Sequence, residues 1–592
     1  MATIGKLSAT FADNLKLDAS HTENVESAWG GPLALPPGTS GEKFAKFLAG
    51  VGDVCGKSEI TLVSSQDQLK GGWYLEQSKV HDMHSIYDED FFVASAVVTP
   101  SSVPQVQALV RLANEYEIPL WPISIGRNVG YGGAAPRVRG SVVVDMGKNM
   151  NKVLSVDEDS ASCLLEPGVT YSELYDYLIE HNLHEKLWID VPDLGGGSVV
   201  GNCLDRGVGY TPYGDHFMMH CGMEIVLPNG ELYRTGMGAM PDPTQPGFDP
   251  DAPLHEQPPN KCWQLFNYGF GPYLDGIFTQ SSLGIVTKMG MWLMPNPGGF
   301  QSYLVTVPNE EDLHPLVETI RPLRLQNILP NVPTIRYITL DAAVLGHKKQ
   351  YVSYEGPITE EDKRAIEKKL QLGRWNFYGA VYGPPVIRDA MLSVVKEAFL
   401  KIPGAKFLLP EDMKENSVLH IRSKTLRGIP TYDELNWLDW EPNGVHLFFA
   451  PISKVSGDDA MKQYEVSKRR FEEAGMDFIG TFTVGMREMH HIVSVVFPRG
   501  NPKKRDRAVW LIRTLIDDCA KHGWGEYRTH IGLMDQIQGT YSFNDNIQRK
   551  LNETIKNAID PKGILAPGKS GIWPSKYDKK QWVLDSKVEK KF

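Results

Sequence analysis

Two glycine-rich segments, at residues 122–136 and 193–202, constrain this chain of 592 residues more than any other feature. The first reads Pro-Ile-Ser-Ile-Gly-Arg-Asn-Val-Gly-Tyr-Gly-Gly-Ala-Ala-Pro, and the second reads Asp-Leu-Gly-Gly-Gly-Ser-Val-Val-Gly-Asn. Glycine lets the backbone approach a bound group closely and adopt positive φ, so that backbone N–H groups converge on anionic oxygens. Two such segments in one chain indicate a pyrophosphate that is held from both sides.

Neither segment matches the usual nucleotide-binding motifs. A Rossmann site has a strand, Gly-x-Gly-x-x-Gly and a helix in that order, and a nucleotide triphosphate loop reads Gly-x-x-x-x-Gly-Lys-Ser/Thr. The two segments follow neither pattern. We therefore expect a dinucleotide ligand that is held in a different fold.

The residues around the first glycine segment predict alternating strands and helices. A strand at 94–98, a helix with Ser102 as its N-cap and a strand at 120–125 form a β-α-β unit that ends in the glycine segment. A capping box of Thr170 and Glu173 begins another helix. Further strands in this half are predicted at 141–145, 163–166, 224–227 and 231–234, the last two joined by a Pro-Asn-Gly turn.

The pattern changes after the Pro-Asn-Pro-Gly-Gly linker at 295–299, because Pro and Gly interrupt helices and strands. Beyond the linker, Thr359 caps a charged helix, and strands at 447–450 and 492–497 alternate with helices. After Gly523 we expect a tail that is poor in helix. The predicted fold class is α+β, with a second domain of α/β character after the linker.

The composition excludes several classes of function. The formal net charge of −11 argues against a nucleic-acid partner, which needs clustered Lys and Arg. No apolar run reaches the roughly 18 to 20 residues that a membrane span needs. The six cysteines are scattered without a Cys-x-x-Cys and predict free thiols in a reducing compartment. We expect an intracellular protein, cytoplasmic or peroxisomal, although the C-terminal Lys-Val-Glu-Lys-Lys-Phe is not the Ser-Lys-Leu signal.

Five motifs together resemble a known family. They read Ile-Gly-Arg-Asn-Val-Gly-Tyr-Gly-Gly-Ala-Ala-Pro, Val-Pro-Asp-Leu-Gly-Gly-Gly-Ser, Arg-Gly-Val-Gly-Tyr-Thr-Pro-Tyr-Gly-Asp-His, Gly-Met-Arg-Glu-Met-His-His and Gly-Trp-Gly-Glu-Tyr-Arg-Thr-His. The combination is similar to the fungal vanillyl-alcohol oxidase family, flavoprotein oxidases of 4-substituted phenols, over residues 57–583. The resemblance implies a discontinuous PCMH-type FAD-binding domain at 1–294 and 524–592, with an α/β cap domain at 295–523 that covers the flavin.

The resemblance gives two histidines roles that the residues alone do not. By itself, His446 in Asn-Gly-Val-His-Leu-Phe-Phe is typical of a core histidine at the head of a buried strand. The resemblance implies that it bonds covalently to the flavin 8α carbon, assisted by His84, since the nucleophile must be a neutral imidazole. A metal site is not expected. His81 and His84 supply only two ligands, and the adjacent His490 and His491 point to different sides of a strand.

Tyr131, Tyr527 and Arg528 match the phenolate pocket of the family. A phenol titrates near about pH 10, so binding its anion at neutral pH needs hydrogen bonds and an opposite charge. Two hydroxyls and one guanidinium supply both, and Arg528 has the charge to stabilise a reduced flavin at N1 and the C2 carbonyl. Without the resemblance, Tyr131 is typical of a turn aromatic, and Tyr527 and Arg528 are typical of a surface strand.

Asp193, which opens the second glycine segment, is by itself typical of an Asx-turn or a cap. In the resembling family the matching aspartate lies beside flavin N5 and acts as the base. Once hydride has left the benzylic carbon, the phenolate becomes a p-quinone methide, and the water that adds to it must lose a proton. An alcohol substrate would give up its hydroxyl proton instead. Members of the resembling family that have a serine at this position attach the cofactor differently. The resemblance therefore implies that this chain, with Asp193, groups with the histidyl-linked oxidases.

Motif matches supply the remaining site residues. The cofactor-binding set comes from the two glycine segments, their neighbours and one lysine: Ser124, Ile125, Gly126, Arg127, Asn128, Pro192, Gly197, Ser198, Gly201, Asn202 and Lys569. The walls and mouth of the substrate pocket form the second set: Leu194, Tyr210, Trp437, Phe448, Phe478, Thr481, His490, Ile492 and Glu526.

The expected reaction is FAD-dependent oxidation of phenols such as vanillyl alcohol, eugenol and 4-alkylphenols, with O2 as the oxidant and H2O2 as a product. A dehydrogenase of the p-cresol methylhydroxylase type, which passes electrons to a cytochrome, is the nearest alternative. A catalytically silent flavin-binding or nucleotide-binding module is the other. The octamers of the family imply a homo-oligomer, either a dimer or an octamer.

Overall fold

A computed structural model describes residues 33–63, 92–498, 500–582, 590 and 592. The strands form sheets of four, five and eight strands and one two-stranded ribbon. Helices pack on these sheets, so the α+β class predicted from the sequence is confirmed. None of the helices within these ranges is long and apolar enough to cross a bilayer.

The first sheet carries the first glycine segment. Its elements are α1 (Gly41–Cys55), β1 (Ile60–Leu62), β2 (Ala96–Val98), α2 (Val103–Tyr116), β3 (Leu120–Ile123) and β4 (Val142–Asp145). The strand order is β1-β2-β4-β3, and β4 is parallel to both β2 and β3. Ser102 stands at the N-cap of α2 as predicted, although its side chain makes no capping hydrogen bond. The β-α-β unit is confirmed, and β3 leads directly into the glycine segment.

The second sheet carries the second glycine segment. Its elements, with the small ribbon β7–β11, are β5 (Val153–Asp157), β6 (Ser162–Leu165), α3 (Tyr171–Glu180), β7 (Leu187–Trp188), α4 (Val199–Leu204), β8 (His220–Val226), β9 (Leu232–Arg234), β10 (Ile285–Trp292) and β11 (Met294–Pro295). The five strands are antiparallel in the order β5-β6-β10-β8-β9. The β8–β9 hairpin is the one that the Pro-Asn-Gly turn predicts.

The start of α3 fixes the second glycine segment in place. Thr170 and its capping-box partner Glu173 satisfy the first N–H groups of the helix, as predicted. The two N–H groups between Thr170 and Glu173 donate outward, from Tyr171 to the Gly197 carbonyl at 3.1 Å and from Ser172 to the Gly195 carbonyl at 2.9 Å. A local helix signal in the sequence therefore determines where the glycine backbone lies.

The third sheet forms the part of the molecule that faces the glycine segments. Its elements are β12 (Phe300–Val307), α5 (Leu313–Leu325), β13 (Thr334–Tyr337), α6 (Ile338–Leu345), α7 (Glu360–Leu370), β14 (Trp375–Tyr382), α8 (Pro385–Phe399), β15 (Lys406–Leu408), α9 (Val418–Leu426), β16 (Gly444–Phe449), β17 (Ile452–Lys454), α10 (Gly457–Ala474), β18 (Gly480–Val484), β19 (Glu488–Pro498) and α11 (Pro502–Lys521). The order is β15-β12-β14-β13-β18-β19-β16, with β17 also paired to β19. Its apolar face and the helices beside it form the largest hydrophobic core of the described chain. The strand predicted at 492–497 lies inside β19, and the strand predicted at 447–450 overlaps β16 but ends one residue beyond it.

The expectation of a helix-poor tail is wrong. Residues after Gly523 include α12 (Met534–Thr540) and α13 (Phe543–Ile559). In α13 the apolar residues Ile547, Leu551 and Ile555 recur every four positions among polar ones, which is a helical period that the segment's polarity obscures. After α13 the chain returns to the first sheet, where the Leu120 N–H donates to the Ile564 carbonyl at 2.7 Å. The three-part domain division stays a prediction.

All six cysteines are free thiols, as predicted: Cys55, Cys163, Cys203, Cys221, Cys262 and Cys519.

Candidate active site

A cavity of about 230 Å³ lies between the two glycine segments. Every residue predicted to bind the cofactor lines it: Ser124, Ile125, Gly126, Arg127, Asn128, Pro192, Gly197, Ser198, Gly201, Asn202 and Lys569. Leu194 and Arg528, predicted for the substrate, line the same cavity. The structure thus brings together residues that are more than 400 positions apart in the chain.

The two glycine segments contact each other directly. The Arg127 guanidinium donates to the Gly196 carbonyl at 2.8 Å. A Cβ on Gly201 would lie 2.3 Å from the Ser124 hydroxyl oxygen, so only glycine allows α4 to come this close to the first segment. Ser198 caps α4 by accepting from the Gly201 N–H at 2.9 Å. Together these contacts fix the two walls of the cavity.

Several buried polar atoms on the cavity wall have no partner within the described chain. They are Arg127 Nε, Ser281 Oγ, Ser282 Oγ and Arg528 Nε. A buried donor without a partner costs about 1–3 kcal/mol, so such atoms indicate a ligand that accepts hydrogen bonds. Converging donors between two glycine segments fit the phosphates and polar groups of a dinucleotide.

Tyr131, Tyr527 and Arg528 form a buried cluster beside the cavity, which Arg528 lines. The Arg528 guanidinium carbon lies 4.6 Å from the Tyr131 ring centroid and 5.5 Å from the Tyr527 ring centroid. Burial raises the pKa of both tyrosine hydroxyls above the usual value, so both are protonated donors at neutral pH. The Tyr527 hydroxyl is buried and makes no hydrogen bond to another described residue.

Arg528 stays cationic in this cluster. Burial alone would lower the pKa of Arg528, but the neighbouring Tyr131, Tyr527 and Asp205 outweigh burial and hold that pKa above its ordinary value. The cluster therefore offers one fixed positive charge and two neutral hydroxyl donors. That set matches the oxygen of a phenolate.

His446 lies against the first glycine segment. Strand β16 carries His446 and Phe448, whose ring centroids are 4.3 Å apart. Trp437, which precedes the strand, completes the aromatic group with its ring 4.8 Å from that of His446. Phe448 in turn stacks on Tyr131 at 5.4 Å. His446 is fully buried, and its strand thus links the eight-stranded sheet to the phenolate cluster. His84, its predicted assistant, lies outside the described residues, as does His81.

Asp193 sits in a buried network that the motifs do not reveal. Its carboxylate accepts from the Tyr210 hydroxyl at 2.8 Å and from the Arg422 guanidinium at 2.7 Å. Arg422 also donates to Glu434 at 3.2 Å, and Arg336 donates to Glu434 at 2.6 Å. The Arg422 guanidinium carbon lies 3.4 Å from the Tyr210 ring centroid. The Asp193 carboxylate thus has one hydroxyl donor and one buried cation.

Arg422, Glu434 and Arg336 are site residues that the sequence analysis missed. Burial alone would lower the pKa of Arg422, but Tyr210, Glu434 and Asp193 hold it above the ordinary value. One sequence signal was available. Arg422 occupies the buried stripe of α9, three and four residues from its apolar members Val418, Leu419 and Leu426. An arginine on such a stripe requires buried carboxylates.

The predicted pocket residue His490 and its neighbour His491 lie on opposite faces of β19. His490 lies on the side of β19 that meets the phenolate cluster, with its ring 5.0 Å from the Tyr527 ring. His491 points the other way and stacks on Phe482 at 4.2 Å, and burial lowers the pKa of His491 to about 3. The prediction that the two histidines face different sides is confirmed. Ile492 pairs with Thr481 across the two strands.

Phe478 and Thr481 lie farther into the eight-stranded sheet than a position at the pocket mouth implies. Phe478 packs on Tyr337, Tyr464 and Phe471 in the aromatic core, with ring centroids 5.2, 5.3 and 5.6 Å away. The Thr481 hydroxyl donates to the Ile335 carbonyl at 3.0 Å. Their predicted roles at the pocket mouth stay untested.

Glu526 directly precedes Tyr527 and Arg528 and is buried. It accepts from the Ala450 N–H at 2.5 Å and from the Arg528 N–H at 3.3 Å. Burial raises the pKa of Glu526 to about 8, against the opposing effect of these two donors. The bonds tie the start of the Tyr527–Arg528 pair to the end of β16, so Glu526 sets the position of the cluster relative to His446.

Comparisons with known proteins agree with this cavity. Residues 94–236 match the family described as "FAD binding domain", and residues 382–570 match "FAD linked oxidases, C-terminal domain". The flavoprotein subunit of 4-cresol dehydrogenase (hydroxylating) from Pseudomonas putida is 40% identical over 480 residues, which is 81% of this chain and 88% of that protein. The chain belongs to the family of FAD-binding oxidoreductases with a PCMH-type domain. FAD is therefore the dinucleotide that the cavity fits.

Two solved structures share the whole architecture. The 4-ethylphenol oxidase from Gulosibacter chungangensis, in complex with isoeugenol, has a TM-score of 0.84 and 40% identity, covering 92% of this chain and 99% of that one. A p-cresol methylhydroxylase with bound substrate has a TM-score of 0.83 and 36% identity, covering 91% and 99%. These matches support the wider family. They do not single out the vanillyl-alcohol oxidase type or a fungal origin, both of which the motifs had indicated.

Gly130 tests the contact between β16 and the first glycine segment. It has φ of +80°, and an added Cβ would lie 2.3 Å from His446 Nε2. We expect Gly130→Ala to destabilise the protein by about 2–4 kcal/mol, from left-handed strain plus overpacking, measured by thermal unfolding. On a His446→Ala background the strain and a 3.0 Å contact with Phe448 remain, so the loss shrinks but does not vanish. Equal losses on both backgrounds would show that the two residues do not touch.

Proposed function

We propose that this protein oxidises 4-alkylphenols and 4-hydroxymethylphenols, of the 4-ethylphenol, eugenol and vanillyl alcohol type, at the benzylic carbon. The observation that carries the proposal is that two polar groups border one cavity. A cluster suited to a phenolate, around Arg528, and the segment that carries Asp193 border the same FAD cavity. The relatives point the same way, because their names specify 4-cresol and 4-ethylphenol.

The Tyr131–Tyr527–Arg528 cluster binds the phenol as its anion. A free phenol ionises near about pH 10, so a site that works at neutral pH must favour the anion by several kcal/mol. Hydrogen bonds from the Arg528 cation and from the two neutral tyrosine hydroxyls supply that preference, and all are charge-assisted because the acceptor is an anion. The ionised oxygen then pushes electron density through the ring toward the benzylic carbon.

Bound FAD supplies the two-electron acceptor that takes a hydride from the benzylic carbon. Loss of the hydride turns the phenolate into a p-quinone methide. Asp193 accepts the proton of the water that adds to this intermediate, or the hydroxyl proton of an alcohol substrate. Tyr210 and Arg422 hold the carboxylate in one orientation for this step.

We also propose that His446 carries the flavin covalently. It is buried and lies in van der Waals range of the first glycine segment, which also lines the FAD cavity. The aromatic neighbours Trp437 and Phe448 hold its ring edge-on. They fix the direction of the imidazole nitrogens, which a nucleophile requires.

We propose O2 as the oxidant of the reduced enzyme, with H2O2 as product. The alternative is a dehydrogenase that passes electrons to a protein acceptor, and the 40% identity to a 4-cresol dehydrogenase subunit favours it as the second candidate. Peroxide formed with 4-ethylphenol in air, compared with reduction of an artificial acceptor under argon, separates the two. Turnover in argon with no peroxide in air would replace the oxidase with the dehydrogenase.

The central test is the need for an ionisable ring oxygen. Anaerobic 4-ethylphenol is expected to bleach the flavin absorbance, because the phenolate drives hydride loss. Its methyl ether, 1-ethyl-4-methoxybenzene, has the same benzylic carbon but cannot ionise, and it should leave the spectrum unchanged. Bleaching by both compounds at similar rates, or by neither, would refute the proposed function.

Asp193→Asn tests the base. The amide keeps the size of the carboxylate but cannot take a proton, so we expect the rate of substrate turnover to fall about 100- to 10,000-fold with flavin content unchanged. Tyr210→Phe removes only one hydrogen bond to Asp193 and is the matched control, with a smaller expected loss. The assignment fails if the Asn variant turns over at the wild-type rate.

His446→Ala tests the covalent bond. The variant is expected to release its flavin into the supernatant on acid precipitation, whereas the wild-type pellet stays yellow. Trp437→Phe, which keeps an aromatic neighbour but leaves His446 in place, should behave like the wild type. A yellow, washed pellet from the Ala variant would locate the bond elsewhere.

A further inference from the structure

A second buried polar cluster borders the FAD cavity, and the proposed reaction does not use it directly. His216 lies at its centre. Its Nε2 is 2.6 Å from Asp190 Oδ2, and its Nδ1 is 2.6 Å from Asn202 Oδ1. The Tyr171 hydroxyl lies 3.1 Å from the same Nδ1. The side chains of His216 and Asp190 are only 2% and 6% exposed.

The backbone around the cluster leaves no room for other side chains. A Cβ on Gly209 would lie 1.4 Å from Asp190 Oδ2, and a Cβ on Gly207 would lie 2.0 Å from Asn202 Oδ1. Both glycines belong to the loop that carries Tyr210. The loop therefore wraps the cluster closely, and a shift of one moves the other.

The two nitrogens of His216 serve different halves of the active site. Through Nε2 it holds Asp190, three residues before Asp193. The other oxygen of Asp190 accepts from the Thr211 N–H at 2.7 Å, next to Tyr210, which donates to Asp193. Asp190 thus fixes both members of the Tyr210–Asp193 bond.

Through Nδ1, His216 holds the cofactor side. Asn202 lies on α4, and Asn202, Ser198 and Gly201 all line the FAD cavity. A ring with hydrogen bonds on both nitrogens cannot rotate without breaking one of them. The position of α4 and that of the Asp193 segment are therefore linked through one imidazole.

We propose that His216 is a positioning residue that aligns Asp193 with the flavin, acting on Asp193 through Asp190 and on the cofactor helix through Asn202. The inference rests on the proposed function for its catalytic half. Its cofactor half stands on the cavity alone. Removing the Nε2 contact leaves a buried Asp190 oxygen without its donor, so the 190–193 segment relaxes and the Asp193 carboxylate leaves its productive position.

Two substitutions separate the halves. The side-chain amide of Gln reaches the position of Nε2, and that of Asn reaches the position of Nδ1. His216→Asn should keep the Asn202 contact and lose Asp190, so its flavin content stays normal while the rate of anaerobic flavin bleaching by 4-ethylphenol falls about 10- to 100-fold. His216→Gln should show the opposite split, with less flavin per chain and a much smaller fall in the bleaching rate of the loaded protein.

Asp190→Asn guards against misfolding of the histidine variants. It keeps the shape of the carboxylate and the bond from Thr211, and it should reproduce the rate loss of His216→Asn without loss of flavin. Melting temperature is measured in parallel for all three variants. A purely structural histidine would give equal losses of flavin content and rate in both His216 variants, tracking their melting temperatures, and that result overturns the inference.

Failure of the proposed function would look different. If wild-type protein is not bleached by 4-ethylphenol, the reaction is wrong, and the flavin content of His216→Gln against His216→Asn still tests the cofactor half. If the wild type is bleached and His216→Asn is bleached equally fast, the reaction stands and the positioning role is wrong.

Discussion

The ion pair between Arg422 and Asp193 joins positions 229 residues apart in the chain, and the geometry of the active site depends on it. Arg422 is completely buried, and a buried guanidinium is costly unless it is paired and hydrogen-bonded. Asp193 and Glu434 provide two. Because Asp193 opens the second glycine segment, the pair fixes that segment against the eight-stranded sheet. Loss of Arg422 would remove the bond that holds Asp193 to α9, whereas loss of Asp193 would leave Arg422 paired with Glu434.

The parts of the site that the sequence predicted are those with local causes. The two glycine segments, the capping box at Thr170 and the hairpin at 224–234 all follow from residue types within a few positions of each other. Their places in the fold were therefore foreseeable. The α13 helix was missed because its apolar residues are diluted by charged and amide side chains. The period was present, but it was weaker than the polarity of the segment.

The parts that the sequence did not predict depend on pairing across the chain. Arg336 lies on β13, Glu434 lies in the segment before β16, and Arg422 lies on α9. Both arginines form ion pairs with Glu434 only because these three elements converge in the fold. No motif within those segments marks them, and the family resemblance supplied none of the three. His446 is a similar case. Its residue context describes a core histidine correctly, and the proposed covalent role depends on the register that brings β16 against Gly130.

The two polar groups beside the cavity, one around Arg528 and one around Asp193, meet opposite electrostatic demands in the proposed reaction. The phenolate must be stable enough to form, yet its charge must leave the oxygen as the quinone methide develops, so a cation that holds the charge too tightly would raise the barrier. Arg528 shares that oxygen with two hydroxyls whose raised pKa values keep them neutral. A neutral donor loses less interaction energy than a cation does when the phenolate oxygen becomes the uncharged carbonyl of the quinone methide. In the other group, Asp193 must stay charged until a proton arrives, and Arg422 provides a cation that cannot give up its own proton. Arg528, beside Tyr131, therefore tolerates the loss of a negative charge from the substrate oxygen. Arg422, beside Tyr210, instead maintains the negative charge of Asp193.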